Sequence, residues 1–84
     1  MEEAKRNAPI EVIRDGSIKA SIWKNPKEDG SFLSVTFART FQNDDGKPLD
    51  SQSFSGRDAL VVAEVARQAY VWMSNYRSAQ LDKV

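Results

Sequence analysis

The stretch Ser31-Phe-Leu-Ser-Val-Thr-Phe-Ala-Arg-Thr-Phe41 sorts its side chains into two sets. Leu33, Val35, Phe37 and Phe41 share one parity; Phe32, Ser34, Thr36, Ala38 and Thr40 share the other. Alternation of this kind in β-branched and aromatic residues is the pattern of a strand with one face on a core. Arg39 shares the parity of the apolar set. A buried guanidinium needs partners to offset its desolvation, so the strand is expected to have left the core by that point.

Working outward, Ser17-Ile-Lys-Ala-Ser-Ile-Trp-Lys24 alternates in the same way, with Ile18, Ala20 and Ile22 opposed to Lys19, Ser21 and Trp23. Asn25-Pro-Lys-Glu-Asp-Gly30 is expected to break this second strand, because proline lacks a donor and glycine frees the backbone. Before it, Pro9–Arg14 reads as a short first strand ending at Asp15-Gly16, a dipeptide suited to a tight hairpin. After Phe41, Asn43-Asp-Asp-Gly46 reads as a turn, and Lys47–Phe54 as a fourth, more polar strand.

Ser55-Gly-Arg-Asp58 fits a capping box, in which the serine oxygen accepts an early helix N–H and the acid bonds back. From there Ala59, Val62, Val65, Ala66, Ala69, Trp72, Met73 and Tyr76 recur at helical spacing, which predicts a helix to about Ser78. The expected architecture is α+β: a four-stranded antiparallel sheet followed by one long C-terminal helix, spanning 9–80 between an N-terminal tail of 1–8 and a C-terminal tail of 81–84.

A chain of 84 residues with no cysteine builds a thin core without disulfides. Only roughly 60–65% of its unfolded surface is removed from water at this size, so association with a second copy is expected to add stability. Leu60, Val61 and Val71 widen the apolar stripe of the helix beyond what one thin sheet requires, which points the same way. No segment is apolar enough to cross a bilayer and the first residues do not resemble a signal peptide, so a cytoplasmic location is expected.

Twelve basic and twelve acidic residues give a net charge of zero, which argues against gripping nucleic acid by bulk charge. Their distribution is uneven. Lys19, Lys24, Lys27 and Arg39 lie between Gly16 and Phe41, where the only acids are Glu28 and Asp29. The absence of histidine and cysteine removes the imidazole base, the thiol nucleophile and the usual zinc ligands. Asp44 and Asp45 read as a solvated turn, and no glycine-rich loop follows a strand. No enzyme activity, cofactor or metal is expected.

If the Leu33 parity faces the helix, Lys19, Trp23 and Phe32 project from the open face, with Lys24, Lys27 and Arg39 at its rim and Phe41 near the strand end. Rings of this kind can stack on bases while the cations meet phosphates. The competing reading has Trp23 and Phe32 closing the core edge or a dimer seam, with the charges merely solvating the surface.

The order of residues resembles the single-stranded-DNA-binding domain of the transcriptional coactivator family known as positive cofactor four. The resemblance is carried by Gly16-Ser-Ile-Lys-Ala-Ser-Ile-Trp23, Gly30, Phe37-Ala-Arg-Thr-Phe41, Asp45-Gly-Lys-Pro48, Ser53-Phe54 and the helix that follows. It implies four antiparallel strands and a helix, a homodimer, and contact residues at Trp23, Lys24, Lys27, Phe32, Arg39, Phe41 and Lys47. Two places depart from the family pattern. Leu49-Asp-Ser51 stands where a glycine and a basic pair are usual, and Ala59 stands near the place of a tryptophan. The functional expectation is a non-catalytic protein that binds single-stranded DNA, or RNA, with little sequence preference, in transcription or replication. The alternative is an adaptor that uses the same fold for a protein partner.

Overall fold

The computed structural model describes residues 8–82. Four strands, β1 (Glu11–Asp15), β2 (Ile18–Lys27), β3 (Gly30–Gln42) and β4 (Pro48–Ser51), form one antiparallel sheet in the order β1-β2-β3-β4, followed by the helix α1 (Gly56–Asp82). Of the two tails set apart by the sequence reading, residues 1–7 and 83–84 lie outside the described residues. Leu81 and Asp82 belong to α1 rather than to a tail. The helix passes Ser78 because Ala79 and Gln80 are good helix formers and no glycine or proline follows to stop it.

The first hairpin pairs Asp15 with Ile18, so its loop is Gly16-Ser17, one residue later than Asp15-Gly16. Gly16 has φ 63° and no other residue type has positive φ among the described residues, which fits a turn needing glycine at its first central position. The second hairpin corrects a larger expectation. Pro26 does not end β2, which runs on to Lys27 in register with Gly30. Thr40 N donates to Ser17 O at 2.8 Å, and by strand alternation the backbone of even-numbered β2 residues points away from β3. Pro26 thus stands where β2 has run beyond its pairing with β1, and its missing N–H removes no ladder bond.

The same alternation makes one edge of the sheet unusual. β4 pairs only with Arg39–Gln42, so among the described residues no strand covers the outer side of Ser31–Ala38. The N–H and C=O groups of Ser31, Leu33, Val35 and Phe37 point to that side. β4 itself is shorter than expected: Ser53 N donates to Ser51 Oγ at 3.0 Å, turning the chain toward the helix and leaving Phe54 packed on the core.

Ile18, Ala20 and Ile22 of β2 are buried against Val65 and Ala69 of α1, with Ile13, Val35, Phe37, Phe54, Val61, Val62, Trp72 and Met73 around them. Ala20 and Ala69 are both fully buried. Side chains this small let helix and strand approach closely. Burial of each isoleucine contributes roughly 1.5–3 kcal/mol. The helix packs over β1 and β2 and only grazes β3, so the protein is a slab of 49 × 31 × 15 Å with a radius of gyration of 14.9 Å. A compact domain of this length would have a radius near roughly 12 Å.

Half of the expected capping box forms. Asp58 N donates to Ser55 Oγ at 3.2 Å, while the Asp58 carboxylate lies 4.0 Å from Arg39 Nε instead of bonding back.

Candidate nucleic-acid interface

The registers decide which side chains share a face. Ile18, Ala20, Ile22 and Lys24 lie opposite Arg39, Phe37, Val35 and Leu33, and these form the helix side of the sheet. Lys19, Ser21, Trp23, Asn25 and Lys27, with Phe32, Ser34, Thr36, Ala38 and Thr40, form the open side. β1 adds Val12 and Arg14 to the open side, and β4 adds Asp50.

This sorting brings four of the eight sequence-identified residues together and separates the rest. Lys19, Trp23, Phe32 and Lys27 share the open face, Lys27 at the tip of the second hairpin. Lys24 and Arg39 are on the helix side, not at the rim of the open face, and Phe41, near the end of β3 as expected, is on the helix side as well. Lys24 Nζ sits 5.8 Å from the centre of the Tyr76 ring. Arg39 has not left the core side. Its Nε donates to Ser53 O at 3.3 Å, and its guanidinium lies 5.3 Å from the Phe41 ring centre. With Asp58 these partners satisfy the charge that alternation places there. Lys47 belongs to the turn after β3, where its N–H and that of Asp45 both donate to Asn43 Oδ1 at 2.9 Å.

On the open face Trp23 is half-buried and its Nε1 donates to Thr36 Oγ1 at 2.9 Å, which orients the indole along the sheet. Phe32 is 50% exposed. Trp23 lies opposite Ser34, so Phe32 is its diagonal neighbour, roughly 7–8 Å away between backbones. Between Trp23 and Lys19 the side chains are small. Ser21, which is buried, together with Thr36 and Ala38, floors a recess of about 720 Å³.

Beyond Ala38, Lys19 Nζ reaches across β3 to Asp50 Oδ2 at 2.9 Å. Thr40 Oγ1 donates to Asp50 Oδ1 at 2.9 Å. Hydrogen bonds from Lys19 and Thr40, with the charges of Lys19 and Arg14, hold the Asp50 carboxyl below the usual carboxylate range.

The charges are unevenly shared between the faces. Arg14, Lys19 and Lys27 against Asp50 leave the open face positive, while on the helix side Lys24 and Arg39 are balanced by Glu11 and Asp15 of β1. Sequence reading missed Arg14. Its signal was present, since a tight hairpin after Arg14 places it beside Lys19 on the neighbouring strand. Among the described residues no group of histidine, cysteine or carboxylate side chains is arranged to hold a metal ion, and no helix is long and apolar enough to cross a membrane.

Scans against family models, curated proteins and solved structures found no match to this chain.

Proposed function

We propose that this protein binds single-stranded nucleic acid, DNA in preference to RNA, without catalysis and with little sequence preference. The observation that carries the reading is the sorting just described: a chain of zero net charge collects three cations, a pinned indole and a half-exposed phenyl on the sheet face opposite the helix, which no other element covers among the described residues. Stacking on Trp23 and Phe32 would hold successive bases, and Lys19, Lys27 and Arg14 would meet phosphates.

We further propose a homodimer formed through the uncovered edge of β3. Sheets usually guard an open edge with proline, lysine or a bulge. Among the described residues, the unpaired outer edge of β2 carries Lys24 and Pro26, whereas the unpaired edge of β3 carries Ser31, Leu33, Val35 and Phe37. A two-fold antiparallel pairing centred on Ser34 would match Ser31 with Phe37 and Leu33 with Val35, so all four outward residues gain partners. It would also join two open faces into one surface.

The test is tryptophan emission during titration with oligodeoxythymidylate at low salt. Binding should change the emission, and Trp23→Ala should weaken it by about 5- to 150-fold, the range that corresponds to roughly 1–3 kcal/mol per stacked base. Unchanged emission together with unchanged affinity in Trp23→Ala, Phe32→Ala and the double variant would refute the reading. It would leave the face to a protein partner.

A further inference from the structure

Asp50 is a carboxylate placed at the centre of a group of donors. It receives the Lys19 ammonium at 2.9 Å and the Thr40 hydroxyl at 2.9 Å, one on each oxygen. Arg14 stands directly opposite Lys19 in the register of β1 and β2. Two cations facing each other across neighbouring strands repel unless an anion lies close to both. Here the anion comes from the chain itself. These groups line a recess of about 420 Å³ that opens to solvent.

We infer that Lys19, Thr40 and Arg14 form a seat for one phosphodiester of a bound strand, and that Asp50 fills this seat with its own carboxylate when no strand is present. An ammonium, a hydroxyl and a guanidinium donate equally well to carboxylate and phosphate oxygens, so the two anions compete for the same donors. The residues differ in how firmly they are held. The Lys19 side chain is only 22% exposed, whereas that of Asp50 is 48% exposed and hangs from an edge strand of four residues. The incoming phosphate therefore takes the place of Asp50, which turns out to water, and Lys19 stays. A surface ion pair of this kind is weak enough to be displaced. Asp50 thereby sets how tightly, and with what salt dependence, the open face holds a strand.

This inference rests on the nucleic-acid reading, and the experiment separates the two. The wild-type chain, Asp50→Asn and Asp50→Asn/Thr40→Val are titrated with oligodeoxythymidylate at several salt concentrations, with thermal melts to check folding. Asp50→Asn should bind about fivefold to tenfold tighter, with a log–log salt slope steeper by about 0.7, because the cation released from one phosphate of a single strand is no longer offset by a cation taken up at a freed Asp50 carboxylate. Thr40→Val in that background should reverse part of the gain. Asp50→Asn with wild-type affinity and slope would overturn the seat, while weakening by Trp23→Ala would leave the face itself standing. No binding by any folded variant at low salt would sink both. Inorganic phosphate is titrated into Asp50→Asn as a separate arm, and saturation at micromolar phosphate would assign the seat to a free anion and overturn the phosphodiester. If Asp50→Asn melts early, Asp50→Ser carries the test in its place: a folded variant should bind at least twofold tighter than the wild type, and an unchanged value would overturn the seat.

Discussion

Among single residues, Glu64 shows most directly how a surface group couples to folding. Its carboxylate receives Arg67 Nε at 3.2 Å and Nη2 at 2.9 Å, and Gln68 Nε2 at 2.7 Å. The Arg67 bonds, then the Gln68 bond, lower the Glu64 carboxyl from 4.5 to about 2. A carboxyl depressed by folding contributes stability above its unfolded value, and this is lost as pH falls from about 4.5 through about 2. Melting temperature should therefore fall less steeply over that window in Glu64→Gln than in the wild type; equal slopes would show that this cluster does not stabilise the fold. The parity of Arg39 was visible, and the conclusion that the strand had left the core followed from seeing no partner. Its partners, Ser53 and Asp58, lie 14 and 19 positions downstream and become neighbours only when the chain returns into α1.

At the scale of elements, the number, order and type of strands and helix were legible because alternation and helical spacing report burial directly. Strand ends were not. Pro26 reads as a breaker in one dimension, but a strand tolerates proline wherever its N–H side lacks a neighbour, and only the register reveals that β1 has already ended there. The short reach of β4 was equally hidden, and with it the open edge of β3. Leu33→Pro tests that edge: Leu33 N–H points away from β2, and the side chain lies outside the buried cluster. If the proposed dimer forms through this edge, the wild type should sediment as a dimer, while the variant should keep its helical signal, lose no more than about 3 kcal/mol of stability, and sediment as a monomer. Equal sedimentation of the two as dimers would place the association elsewhere, with the exposed helix residues Leu60 and Tyr70, 78% and 66% accessible, as the next surface to test.

For the whole molecule, the main feature is an uneven cover. The helix shelters β1 and β2 and leaves the β3–β4 side of the slab thinly packed. Cooperative units of a fold open in order of how much apolar contact holds them. Among strand amides that bond to a neighbouring strand, deuteration should therefore proceed as a gradient across the sheet: slowest at Ile18, Ala20 and Ile22, whose amides pair with β1 beneath the helix, and fastest at Leu49 and Ser51 on the far margin. Uniform protection in all four strands would contradict it. If the gradient holds, the margin that carries Asp50 can loosen without unravelling the centre, giving this small protein a yielding border beside a firm spine.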